Sequence, residues 1–86
     1  MSVYEVLLSK TARKQLNSLP TFIHNKIIED ISDLAFLPRP AGCKKLKGQR
    51  NAWRIRIGDY RVIYEVHDTI LKILVIGVGH RKDIYD

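Results

Sequence analysis

The chain contains a single cysteine, Cys43, so it has neither an internal disulfide nor the ligands of a cysteine-rich zinc site. It lacks any apolar run near the ~20 residues that span a bilayer. Its opening segment, MSVYEVLLSK, places an acidic residue ahead of a short apolar run, whereas a secretory signal begins with positive charge. Repeats, low-complexity tracts and linkers are missing. So are a phosphate-cradling glycine loop, a metal-ligand cluster and a serine or cysteine nucleophile motif. These absences predict a cytoplasmic protein with its thiol reduced, no membrane contact, no metal and no cofactor. At 86 residues, with 45% hydrophobic and 28% charged content, the chain suits one domain, 1–86, with one modest core.

Acidic residues are scarce in one region above all. Residues 1–38 balance Lys10, Arg13, Lys14 and Lys26 against Glu5, Glu29, Asp30 and Asp33, and residues 62–86 sum to −1. Residues 39–61 carry eight basic groups against Asp59 alone, so a local +7 accounts for the whole net charge of +6. A block of this kind predicts an anionic partner, nucleic acid first; a solvated basic face is the alternative.

The periodicities predict the order β-α-α-β-β-β. VYEVLLS (3–9) reads as a strand, and Ser9 as the cap of a helix carrying Ala12, Leu16 and Leu19. Pro20 stops that helix and Thr21 can cap the next, whose stripe runs through Ile23, Ile27, Ile31 and Leu34 until PRPAG (38–42). Trp53, Ile55 and Ile57 alternate with Ala52, Arg54 and Arg56. Beyond Gly58-Asp59, Tyr60, Val62, Tyr64 and Val66 alternate with Arg61, Ile63 and Glu65. HDT (67–69) reads as another turn, with Glu65 opposite Lys72 in a second hairpin, and ILKILVIGV (70–78) reads as a central strand. The expected fold is α+β, two N-terminal helices on one face of a largely antiparallel four-stranded sheet.

A two-residue turn pairs 57 with 60 and 56 with 61, which gathers the apolar residues on one face and the arginines on the other. A three-residue turn would shift that pairing and could send Arg61 toward the helices. Facing Arg56 and Arg61 repel each other. The pair becomes favourable when an anion lies between them, because each guanidinium donates paired hydrogen bonds to phosphate oxygens. Arg39, Lys44, Lys45, Lys47 and Arg50 line the approach of a polyanion or serve only solubility. His80 and Arg81 emerge beside the hairpin turn. Histidine is the residue type best suited to proton transfer near neutral pH, although a lone histidine is often structural. Tyr85 could stack on a base or close the edge of the core. Without a protein nucleophile, cleavage chemistry would use the substrate's own, and RNA has one in its ribose 2′-hydroxyl.

The stretch LPRPAGCKKLKGQRNAWRIRIGDYRVIYEV, followed by VGHRKDIYD and preceded by LSKTARKQLNSLP, resembles the RelE branch of the RelE/ParE toxin family, the toxins of type II toxin–antitoxin pairs. The resemblance implies a metal-independent ribonuclease that enters the ribosomal A site and contacts ribosomal RNA there. Such an enzyme cuts mRNA by 2′-hydroxyl attack, leaving a 2′,3′-cyclic phosphate. It also implies a cognate antitoxin, usually acidic and folding on binding, through which alone the pair reaches operator DNA. By position, Arg54 and Arg56 match the family's basic pair, Arg61 the arginine after the turn, Arg81 the arginine after the last strand and Tyr85 the C-terminal tyrosine. The best-known member has lysines where this chain has Arg54 and Arg56, one of them proposed as a proton acceptor. Arginine stays protonated at any physiological pH, so that role is expected to move to His80. Some relatives instead poison DNA gyrase, which leaves a non-nucleolytic inhibitor as the competing expectation, and a decayed nucleic-acid-binding toxin as a third.

Overall fold

Local signals account for the helices. The computed structural model describes residues 3–80. β1 (Glu5–Leu8) turns Val6 and Leu8 toward the core and leads into α1 (Lys10–Asn17). Ser9 caps that helix as expected, its hydroxyl accepting the Ala12 N–H at 3.0 Å. Ala12 and Leu16 form the buried stripe of α1. The second helix, α2 (Thr21–Asp33), buries Ile23, Ile27 and Ile31. Thr21 does not cap it: Pro20 occupies the N-cap and Thr21 is already helical. Proline's fixed φ suits the start of a helix, and it carries no N–H to leave unsatisfied.

The sheet has five strands, not four. A two-residue strand, β2 (Lys44–Lys45), precedes β3 (Ala52–Ile57), β4 (Tyr60–His67) and β5 (Lys72–His80), in the order β1-β5-β4-β3-β2. Three of the four pairings are antiparallel; β1 runs parallel to β5. The α1–α2 hairpin carries the chain over the sheet, and the chain returns through β3 and β4. The apolar β5 therefore ends up between β1 and β4, as a strand buried from both sides should.

Tyr64 and Val75 pair directly, as do Ile63 and Gly77, which leaves Ile76 as a bulge in β5. The bulge shifts the inward phase from Ile73 and Val75 to Val78. The β4–β5 turn spans residues 68–71, later than expected, so Glu65 faces Leu74 and not Lys72. Lys72 faces His67 and instead reaches Glu5 on β1 at 3.4 Å.

Ala12, Leu16, Ile27 and Leu34 pack on Val62, Tyr64, Val66, Ile73, Val75 and Val78 to form the main core. Tyr64 is fully buried, and its hydroxyl donates to the Pro38 carbonyl at 2.7 Å. Burial raises the pKa of this phenol, with a further rise from Cys43 beside it. On the other face of the sheet, Leu46 folds over Ala52 and Ile63 with Ile76 alongside, so that face is partly covered. No helix of the described residues is long and apolar enough to cross a membrane.

Candidate functional site

The β3–β4 hairpin sets the geometry of the arginine face. Gly58 sits at φ +59°, the conformation a two-residue turn of this kind demands at its first central position. The turn fixes Arg56 opposite Arg61 and Ile57 opposite Tyr60, the register expected from alternation. Ile55 and Ile57 enter the core while Arg54, Arg56 and Arg61 share the face away from the helices.

The short strand β2 adds a basic residue to this face. Lys44 pairs with Arg54, so Lys44–Arg54 and Arg56–Arg61 form two directly opposed like-charged pairs next to each other. Each such pair costs stability, and each is relieved by an anion held between its members. Nothing in the sequence marked β2, because two residues carry no periodicity. Arg56 is exposed and Arg61 half-buried, whereas Arg54 is only 5% exposed. The Nε atoms of Arg54 and Arg61 are shielded from solvent. Arg56 and Arg61 thus present charge at the surface, and Arg54 contributes field from beneath.

Lys47 and Arg50 are exposed in the loop that joins β2 to β3, and Lys45 donates to the Gln49 carbonyl at 3.0 Å. Lys45 pairs with Trp53, one residue on from Lys44, so it leaves the strand on the side opposite the arginines. Arg81 and Tyr85 lie outside the described residues.

Two further expectations are corrected. Arg39 does not line the approach to the arginines. Its guanidinium grips Asp68 at 2.7 Å and lies over the Trp53 ring at 5.0 Å. Asp68 also accepts the Tyr4 hydroxyl at 2.6 Å. This clasp ties the residue before β1, the loop after α2, β3 and the β4–β5 turn together at the end of the sheet opposite Gly58-Asp59. Hydrogen bonds from Arg39 and then Tyr4 hold the Asp68 carboxyl below its ordinary pKa, and the same carboxylate raises Tyr4 and Arg39. Arg39 is spent on the fold.

His80 does emerge beside the turn, but on the other face. It pairs with Tyr60, and the two rings meet edge to face at 5.4 Å. Arg61 pairs with Gly79. One residue along a strand reverses the direction of the side chain, so the imidazole projects to the helix side, where it lines a small cavity with Gln15, Ser18 and Leu19.

A larger groove of about 500 Å³ runs between α2 and the stretch of β3 beyond its pairing with β2, lined by Asp30, Asp33, Leu34, Leu37, Arg56 and Ile57 among others. Its carboxylates would repel phosphate, although Arg56 belongs both to its lining and to the flatter arginine face. Among the described residues no cluster of three or more His, Cys, Asp or Glu side chains could hold a metal.

Known proteins share this sequence and this fold. The family model for the ParE toxin of the type II toxin–antitoxin system parDE matches residues 6–85. The chain is 40% identical to toxin RelE3 of Methanocaldococcus jannaschii, with 95% of this chain and 96% of that protein covered. Among solved structures, the RelE–RelB complex of Pyrococcus horikoshii superposes with a TM-score of 0.83 at 31% identity, covering 95% and 99% of the two chains. The toxin–antitoxin complex RelBE2 of Mycobacterium tuberculosis gives 0.83 at 30%, covering 94% of each.

Proposed function

The chain belongs to the RelE/ParE superfamily of type II toxin–antitoxin toxins, and on that footing we propose that it is a ribosome-dependent endoribonuclease cutting mRNA in the A site. The observation that carries this reading is the two opposed cation pairs, Arg56–Arg61 and Lys44–Arg54, on one sheet face, with Arg56 and Lys44 exposed. Arg56 and Arg61 grip the non-bridging oxygens of the scissile phosphate. Their charge grows in value as the phosphorus gains a fifth oxygen, which is where preorganised donors accelerate a reaction. The 2′-oxygen forms its bond to phosphorus as the bond to the 5′-oxygen breaks. The 2′-hydroxyl gives up one proton and the leaving oxygen takes one, so the products are a 2′,3′-cyclic phosphate and a free 5′-hydroxyl. Arg54 strengthens the field, Lys44, Lys47 and Arg50 hold the flanking backbone, and Arg81 and Tyr85, which follow β5 in sequence, complete the grip and stack on a base. His80, on the far face, is left out of the proton transfer.

The partner is a cognate antitoxin with an acidic segment that folds on binding and neutralises the arginine face; the archaeal and mycobacterial relatives are seen in complex with theirs. Primer extension on mRNA during a brief induction tests the activity. Cuts inside codons, absent in Arg61→Ala and Arg81→Ala, are the expected result. Growth arrest with intact mRNA and DNA-damage signalling would favour the second reading, gyrase inhibition, which the ParE description of the matching family model supports.

A further inference from the structure

The balance of charge in residues 1–38 conceals a separation in space. Lys26 on α2 is held by Asp30 at 3.3 Å and Glu29 at 4.0 Å, so α2 satisfies its own cation and keeps a net acidic face. On α1, Lys10, Arg13 and Lys14 are all exposed, and no carboxylate among the described residues lies within ion-pair distance of any of them. With Asn17 they follow the i, i+3, i+4, i+7 spacing of one helix face, opposite the buried Ala12 and Leu16. Lys10 and Lys14 are about 6 Å apart along the axis, at 1.5 Å per residue.

This arrangement works against the helix. Like charges at i, i+3 and i, i+4 repel. Lys10 and Arg13 sit near the positive end of the helix dipole, where acids are favoured, and the first turn holds none. The helix is also firmly fixed. Its cap, Ser9, donates to the Ile76 carbonyl at 3.4 Å, and Gln15 accepts the Val78 N–H at 2.7 Å, closing the edge of β5 beyond its pairing with β1. The stripe is therefore rigid, cationic and on the helix side of the sheet, away from the arginine face.

We infer that Lys10, Arg13 and Lys14 form a second RNA-binding surface, which takes the phosphate backbone of folded ribosomal RNA while the arginine face holds the mRNA. The occupant is nucleic acid and not a protein segment because the stripe has no apolar member. A protein interface needs an apolar centre, whereas phosphate recognition needs only positioned cations. The inference rests on the ribosomal reading above, since a site enclosed by RNA is what makes contacts on two opposite surfaces useful.

The test is equilibrium binding of the toxin, released from its antitoxin, to purified ribosomes programmed with mRNA carrying 2′-O-methyl sugars in the A-site codon, which cannot be cut. Wild type is compared with the Lys10→Gln, Arg13→Gln, Lys14→Gln triple variant across a range of salt; glutamine keeps helix propensity. Affinity is expected to fall roughly 10–100-fold near physiological salt, with the slope of log K against log salt reduced by about 2–3. Circular dichroism and antitoxin binding are expected to stay as in wild type. Unchanged ribosome affinity in a folded triple variant overturns the inference and leaves the ribosomal reading standing. A loss confined to antitoxin binding would make the stripe a protein interface and overturn it too. Wild type that fails to bind ribosomes removes the ribosomal reading itself, and the inference with it.

Discussion

Arg56→Gln should make the protein slightly more stable and far less active. Arg56 is exposed and directly opposite Arg61, a placement that puts the two Cβ atoms about 5 Å apart. With guanidinium groups about 7 Å apart in a water-like medium, the repulsion is roughly 0.6 kcal/mol. At 0.1 M ionic strength the Debye length of about 10 Å halves this to roughly 0.3 kcal/mol. For a domain of this size that corresponds to a rise of about 1–3 °C in Tm. The gain should vanish near 1 M salt, where screening acts within about 3 Å. Cleavage of ribosome-bound mRNA should drop on the order of 10²–10³-fold, as when one preorganised charge donor is removed. Arg56→Lys keeps the charge but loses the fork, so it should retain the wild-type Tm and only part of the activity. The assays are thermal unfolding followed by circular dichroism at both salt concentrations, and cleavage on programmed ribosomes. An Arg56→Gln protein that melts well below wild type, or that cleaves within threefold of it, would refute the argument that this pair is held apart from its own interest for an anion.

Three other perturbations test different parts of the molecule. His80→Gln should cleave within about twofold of wild type while losing the edge-to-face contact with Tyr60, worth about 0.5–1.5 kcal/mol; a collapse in rate with the fold intact would return the imidazole to the chemistry. Tyr64→Phe removes the donor to the Pro38 carbonyl and should cost about 1–2 kcal/mol in urea unfolding, with no effect on the salt dependence of RNA binding. Asp68→Asn tests the clasp through pH. The depressed Asp68 carboxyl contributes stability that is present above its unfolded pKa of about 4 and is lost as pH falls through the lower folded value. Tyr4, raised by the same carboxylate, contributes stability that is present below about pH 10 and lost above it. Melting curves across pH should therefore show wild type and Asp68→Asn converging in strong acid and separating between those limits; equal Tm values at pH 7 would discount the clasp.

Short-range patterns were legible because their causes are short-range. Ser9 three residues before Ala12 is a cap wherever it occurs, Ile23, Ile27 and Ile31 share a face of any helix, and Gly58-Asp59 between alternating runs closes a hairpin with Arg56 facing Arg61. Those residues alone gave the helices, the hairpin and the outward arginines. The parallel pairing of β1 with β5 joins segments more than sixty residues apart, and no local period records it. β2 exists only because β3 offers an edge, which is how Lys44 came to stand beside Arg54. The Ile76 bulge resets the phase of β5, and a single step of phase decides which face a side chain meets, so His80 and the arginines parted although the chain places them all beside one turn. Arg39 looked like part of the basic block until the fold brought Asp68 to it, and the cations of α1 looked balanced until folding moved the acids of α2 elsewhere. Charge and periodicity are properties of the chain; whether a charge is answered, and on which side of a sheet it stands, depends on neighbours that arrive only when distant segments pack.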